Sequence, residues 1–241
     1  MSNNKDFKVK NGIQPTVYHE GLGTVVSESP NYNIAQAVLE NTSPNVNAQE
    51  TNPQDVAISS DGTKMYIVGN GSDSVLQYTM STAFDVSTAS YDSVSLLVRP
   101  QCDNPTGLTF STDGSNLYVT GLTDDTVAQY SLSTPWSLAT ATYSGNSFDV
   151  STQEDQPRAV IFSSDGFKMY ISGSGSDAIH QYNLTTEWDV SSASYSSNTL
   201  DVSSEDINPQ GLALSSDGTK LSWLGLKAIP YISITFLQLM T

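Results

Sequence analysis

Over most of the chain apolar and polar residues alternate with a period of two, the pattern of half-buried β-strands. Val56 and Ile58 flank a variable residue, and the same columns hold Leu108 and Phe110, Val160 and Phe162, and Leu212 and Leu214. The residue between them changes freely (Ala57, Thr109, Ile161, Ala213), as one side of a strand can. A Ser-x-Asp-Gly turn closes each of these strands, its glycine supplying the positive φ of a tight hairpin. Second strands are predicted at Met65-Tyr66-Ile67, Leu117-Tyr118-Val119 and Met169-Tyr170-Ile171. A glycine-containing loop ending in Asp73, Asp125 or Asp177 leads to a third, which in the first copy runs from Val75 to Met80. A fourth is expected to hold Phe84-Asp85-Val86 and to reach Tyr91 or continue into Ser95-Leu96.

The turns recur at a step of 52 residues: Asp61-Gly62, Asp113-Gly114, Asp165-Gly166 and Asp217-Gly218. Pro53, Pro105, Pro157 and Pro209 keep that step, as do Gly69, Gly121, Gly173 and Gly225. A fixed period of this size denotes a propeller, a solenoid or an array, and the content of the unit decides which. Four short strands joined by hairpins make one antiparallel sheet, which must stack on neighbours to bury both faces. The expected fold class is therefore all-β: a β-propeller of four-stranded antiparallel blades, incomplete, with three intact units and a broken fourth. Tyr32-Asn33-Ile34 and Ala37 echo Phe84-Asp85-Val86 and Ala89 one period earlier, so the chain is expected to enter partway through a unit and donate an outer strand. The domain reading is an attachment segment at 1–30, propeller repeats at 31–225 and an aberrant tail at 226–241.

The fourth unit breaks at its end. Ser222 replaces the tyrosine of the other units, and after Gly225 the chain reads LKAIPYISITFLQLMT where an Asp-x-Val-x-Gln-Tyr pattern is due. Reading each codon from Lys227 one nucleotide early permits SDTVYQYNFSTAYD, the missing repeat. The tail thus reads as the product of a one-nucleotide deletion between the codons of Gly225 and Lys227, with an apolar closing strand or interface tail as the structural alternative. Ile229, Tyr231, Ile232, Ile234, Phe236 and Leu237 would form an uncharged segment of high β propensity, an aggregation hazard.

Composition narrows the function classes. The net charge is −16, with 9 Lys and Arg against 25 Asp and Glu, so no basic surface is available for nucleic acid. A single cysteine, Cys102, excludes an intrachain disulfide framework. The N-terminus MSNNKDFKVK lacks the apolar core of a secretory signal, and no apolar run of about 18 residues predicts a membrane span.

No nucleophile triad, Cys-His pair, phosphate loop or zinc spacing is present, so neither catalytic residues, metal nor cofactor is expected. His19 lies in the N-terminal segment, and His180 stands in a column occupied by Leu76 and Ala128, which makes it a plain strand residue. Asp73, Asp125 and Asp177 repeat strictly, and their carboxylates are expected to accept backbone N–H groups in the loop rather than to hold Ca²⁺. Gln77, Gln129 and Gln181 repeat equally strictly as buried amides tying adjacent strands. Acidic residues precede the inner strands, where a propeller opens its central channel: Glu50, Asp103, Glu154, Asp155, Glu205 and Asp206. Asp103, Glu154, Asp155, Glu205 and Asp206 are the ligand-binding candidates, as an anionic rim for cations or sugars, weighed against solvated loop charge. The aromatic column Tyr32, Phe84, Trp136 and Trp188 suggests packing between sheets over sugar stacking.

The segments DGTKMYIVGNGSDSVLQY, DGSNLYVTGLTDDTVAQY and DGFKMYISGSGSDAIHQY resemble YVTN-type propeller repeats, a group related to lactonase-like propellers. The resemblance covers roughly residues 50–225 and implies the fold. Lactonase-type activity rests on channel histidines and acidic residues for which this chain has no matching set. The N-terminus NKDFKVKNGIQPTVY is similar to the opening segment of tail-fibre and virion structural proteins of marine tailed phages, cyanophages included. That resemblance implies a non-enzymatic virion or tail-fibre-like protein, made in a host cytoplasm, whose blades bind another virion protein or a host-surface glycan, with self-association compatible. The alternatives are a bacterial propeller binding module and a lactonase-like hydrolase.

Overall fold

The computed structural model describes residues 45–215, 217–226 and 232–238, of the last seven and of residue 226 the backbone alone. All of these belong to the second of two compact units, Asn41–Thr241; the first, Met1–Glu40, lies outside the described residues, and with it the attachment segment, His19 and the echo at Tyr32.

Four sheets follow one another along the chain. The first blade is Pro53–Ile58 (β1), Lys64–Gly69 (β2), Ser74–Met80 (β3) and Ala89–Leu97 (β4), hydrogen-bonded in that order and antiparallel throughout. The second is Pro105–Phe110 (β5), Asn116–Gly121 (β6), Thr126–Leu132 (β7) and Ala141–Asp149 (β8). The third is Pro157–Phe162 (β9), Lys168–Gly173 (β10), Ala178–Leu184 (β11) and Ala193–Asp201 (β12). The fourth has three strands among the described residues, Pro209–Leu214 (β13), Lys220–Leu226 (β14) and Ile232–Gln238 (β15). Each β1-type strand carries a bulge just after its proline, as between Pro53 and Asp55, because proline cannot donate to the ladder. β15 takes the place of a third strand, but Gly225 pairs with Ser233 where Gly69 pairs with Ser74, so the hairpin is three residues longer than the repeat prescribes.

The hairpin turns follow from local chemistry. Gly62, Gly114, Gly166 and Gly218 have φ of 71°, 73°, 73° and 68°. The preceding aspartate accepts the serine hydroxyl two residues back, at 2.6 Å for Asp61, and the N–H two residues on, at 2.9 Å. These bonds hold the carboxyls of Asp61, Asp113, Asp165 and Asp217 below the usual range, Asp217 at about 2.

One expectation needs correction. Phe84-Asp85-Val86 is not part of the fourth strand: Phe84 has φ 62°, Asp85 caps a short 3₁₀ turn at Val86–Thr88, and the strand begins at Ala89. The Asp85 carboxylate accepts the Ser87 N–H, as caps do.

The cores lie between blades. Tyr66, Val68 and Val75 of the first blade meet Leu108, Phe110, Leu117, Val119 and Tyr130 of the second; Tyr118 and Val127 meet Val160, Phe162, Met169, Ile171 and Tyr182 of the third. Tyr170 and Ile179 meet Leu221 and Trp223 of the fourth. The inner strands converge on the axis closely enough that a Cβ on Gly107 would stand 2.7 Å from the Arg158 carbonyl oxygen.

Candidate functional site

The loops that lead into β1, β5, β9 and β13 lie at the same end of the inner strands as the loops that follow β2, β6 and β10, and this end is the mouth. The acidic residues here were the ligand-binding candidates, weighed against solvated loop charge, and the structure sorts them by column. Glu50 and Glu154 are each 1 % exposed, neither solvated nor turned to the mouth. The Glu50 carboxylate accepts the N–H groups of Asn52 (2.7 Å), Gly71 (2.9 Å) and Ser72 (3.1 Å) and the Ser72 hydroxyl (2.6 Å). Glu154 repeats the set with Gln156, Gly175 and Ser176. Asp206, in the same column and buried, accepts the Asn208 N–H at 3.0 Å. Glu154 and Asp206 are therefore loop buckles, because backbone donors claim their oxygens.

The other candidates are more accessible. Asp155 and Glu205 are exposed and Asp103 half-buried. Glu205 accepts the Ser204 hydroxyl at 2.7 Å, and Asp103 lies 3.5 Å from the Arg99 guanidinium.

The repeated aspartates also differ from expectation. Asp73, Asp125 and Asp177 have φ of 51°, 46° and 52°, the left-handed region that Asp tolerates better than most residues. Their carbonyls, not their carboxylates, carry the loop bonds, accepting Val98 N–H (3.0 Å), Val150 N–H (2.8 Å) and Val202 N–H (3.1 Å). Asp73 faces Arg99 at 3.8 Å, whereas Oδ1 of Asp125 and of Asp177 is buried without a hydrogen bond among the described residues. Burial, then neighbouring carboxylates, pushes the pKa of both upward. Gln77 and Gln129 tie neighbouring blades: their Oε1 accepts Leu138 N–H at 2.7 Å and Val190 N–H at 3.2 Å, each 61 residues on. Gln77 also donates to Asp92 of the adjacent β4 at 2.7 Å. Gln181 bonds Asn183. His180 is 5 % exposed and bonded to Ser176 (2.9 Å) and Thr199 (3.0 Å), and burial lowers its pKa.

At this end the structure brings together side-chain amides of the first two blades, Asn52, Asn70 and Asn104, that the acidic reading missed. Asn52, Asn104, Gln156 and Asn208 stand at the 52-residue step, each immediately before its blade's proline. Asn52 donates to Asn70, and Asn70 donates across the blade boundary to Asn104. In the third blade Ser174 donates to Gln156 at 3.1 Å and receives Arg158 Nε at 3.4 Å. Asn208 Oδ1 is buried without a partner among the described residues. The signal is present in the sequence as a column of carboxamides, two positions after the more conspicuous acidic column of Glu50, Glu154 and Asp206. One carboxylate ties neighbouring inner strands: Asp55 of β1 accepts Leu108 N–H of β5 at 3.0 Å, and burial raises its pKa to about 6 against that bond.

Fold and channel mouth define a β-propeller of the lactonase type. The family model for lactonase, a seven-bladed β-propeller, matches residues 12–224, and the chain belongs to that family. No curated protein matches it significantly. Among solved structures it is similar to the periplasmic gluconolactonase PpgL of Pseudomonas aeruginosa, at 16% identity and TM-score 0.51, covering 78% of this chain and 57% of that one. A putative 6-phosphogluconolactonase of Bacteroides uniformis gives 14% identity and TM-score 0.51 over 78% of this chain and 55% of that one. A nidogen/laminin complex gives 12% identity and TM-score 0.53 over 77% and 60%. The chain thus spans a little over half the length of these solved structures, and at such identities the likeness is one of fold.

Proposed function

We propose that the chain is a binding propeller that takes a polyhydroxylated ligand, a sugar or sugar acid, at the amide-lined mouth of its channel. The observation that carries this reading is one carboxamide per blade at Asn52, Asn104, Gln156 and Asn208. A carboxamide offers a donor and an acceptor in one plane without charge, which suits vicinal hydroxyls. Asp103, Asp155 and Glu205 flank the mouth and favour neutral ligands or those carrying a cation. The N-terminal resemblance of residues 4–18 favours a glycan on a host surface as the ligand, with the propeller displayed on a particle.

Hydrolysis of a lactone is the second reading, and the lactonase family and its gluconolactonase neighbours favour it over a virion role. Among the described residues, Asp55, its pKa pushed up to about 6, is a group suited to proton transfer. Calorimetric titration with glucose, gluconate and mixed glycans, alongside a glucono-δ-lactone hydrolysis assay, separates the two. Saturable binding that weakens about tenfold in Asn104→Ala, without turnover, supports the binding module. Turnover that disappears in Asp55→Asn supports the hydrolase. Neither binding nor turnover would sink both.

A further inference from the structure

At the end of the inner strands where the carboxamides stand, one guanidinium has only neutral partners. The bulge of β9 sets Pro157 opposite Gly173 and Ala159 opposite Ser172, which leaves Arg158 without a strand partner and lets its side chain reach the loop after β10. There Arg158 Nε donates to Ser174 Oγ at 3.4 Å. That serine is itself held on Gln156, its N–H bonded to the Gln156 carbonyl (3.2 Å) and its hydroxyl to Gln156 Oε1 (3.1 Å). Arg158, Ser174 and the Gln156 carboxamide thus form one hydrogen-bonded group within the third blade.

The other bulge positions are uncharged. Gln54 donates to Asn52 Oδ1 at 3.1 Å, Thr106 donates to the Pro157 carbonyl at 2.8 Å, and Gln210 is exposed. The other described cations are paired or lie elsewhere. Arg99 faces Asp73 and Asp103, Lys64 pairs with Asp92, and Lys168 and Lys220 begin their strands at the opposite, hairpin end. Arg158 forms no ion pair among the described residues, although the chain carries 25 Asp and Glu. Asp103 and Glu205 lead into the second and fourth blades. The acid of the third, Asp155, lies over Gly175, whose Cβ position would stand 1.9 Å from its Oδ1. A guanidinium offers a planar fork of donors that fits a carboxylate in bidentate fashion, and the bond to Ser174 occupies Nε only.

We propose that Arg158 selects the ligand of this end, a sugar ring carrying a carboxylate, the chemistry of a uronic acid, in preference to the neutral sugar. The inference rests on the reading of this end as a sugar site. The carboxylate receives the terminal Nη groups of Arg158, and the Gln156 carboxamide takes neighbouring hydroxyls. One guanidinium with Asp155 in the same loop neutralises a single negative charge, which suits a carboxylate better than a doubly charged phosphate ester.

Calorimetric titration of the full chain with matched pairs tests this: glucuronate against glucose, and galacturonate against galactose, each pair differing only at C6. The wild type is expected to bind the acid about tenfold more tightly than its neutral partner. Arg158→Gln, which installs the residue type of Gln54 and Gln210, should match the wild type by circular dichroism and bind acid and neutral sugar alike. Arg158→Lys keeps the charge without the fork and should retain only part of the preference. Equal binding of both sugars by the wild type, or a preference that survives in Arg158→Gln, overturns the role of Arg158 and leaves the sugar site standing. Tighter binding of glucose 6-phosphate than of glucuronate overturns the choice of carboxylate. Binding of none of these sugars overturns the sugar reading and this inference with it.

Discussion

One loop-tying carboxylate per blade, and which side of the loop carries it, explains several columns together. Glu50 and Glu154 sit against Gly71 and Gly175, whose missing Cβ atoms would fall 2.3 and 2.6 Å from the carboxylate oxygens. The second blade has Cys102 in the glutamate column, Thr123 in the glycine column and Asp124 in the serine column. There the carboxylate has crossed the loop, and Asp124 Oδ2 accepts Asp103 N–H at 2.8 Å. With no glutamate to admit, a side chain at 123 meets no obstacle. Glu154→Gln should lower the stability read from urea unfolding by about 2 kcal/mol, because one acceptor oxygen is lost from a buried set of donors. Cys102→Glu alone should destabilise by a similar amount through the Thr123 side chain and the Asp124 charge. Adding Thr123→Gly and Asp124→Ser should restore most of it, a coupling that the cycle of single and combined variants measures directly. Additive losses across that cycle would refute the exchange.

At the scale of the element, each blade is specified locally and joined by few polar ties. The Asp-Gly hairpin closes within its own residues, and the positive-φ aromatic that follows β3 folds back over it, Trp136 N–H bonding the Gly114 carbonyl at 3.0 Å. Trp136→Ala removes the ring that fills the space between two blades and should cost about 3–5 kcal/mol by thermal or urea unfolding. Gln129→Leu keeps the bulk but leaves Val190 N–H without its acceptor in a buried place, and should cost about 1–3 kcal/mol. A loss in the leucine variant no larger than at an exposed position would mean that water replaces the tie.

For the molecule as a whole, pH acts on stability through opposed sets of carboxyls. The turn aspartates have depressed pKa values, so their contribution is present above about pH 4 and fades as pH falls through the lower folded values. Asp55 is the reverse case. Its folded pKa of about 6 exceeds the ordinary 3.8 of an aspartate, so the fold binds its proton more tightly than the unfolded chain does. Stability from this group is full below about pH 4, is lost as pH rises to about 6, and is flat beyond. The shift corresponds to at most about 3 kcal/mol, and screening of its accessible edge reduces that toward about 1–2 kcal/mol. Asp55→Asn, which keeps an acceptor for Leu108 N–H, should therefore gain on the wild type between pH 4 and pH 6, measured by urea midpoints at each pH. A difference that does not change over that range would remove Asp55 from the account.

The step of 52 residues, the turn aspartates and glycines, and the period-two columns were enough to fix strand order and blade architecture, because each depends on contacts within a few residues or on an identical neighbour. The sequence by itself therefore determined that this is a stack of four-stranded sheets, and that the fourth unit departs from its template after Gly225. Where the Phe84 segment runs, which acids are buried, and what lines the mouth were decided by tertiary structure. A carboxylate column looks the same in sequence whether its oxygens face solvent, as at Asp155, or three backbone N–H groups, as at Glu154. The amide column at Asn52, Asn104, Gln156 and Asn208 was equally visible, but only the convergence of the inner strands turns it into a surface. Short-range turn chemistry and repetition are written in the chain; the direction in which a polar side chain points depends on donors that folding brings from 20 to 70 residues away.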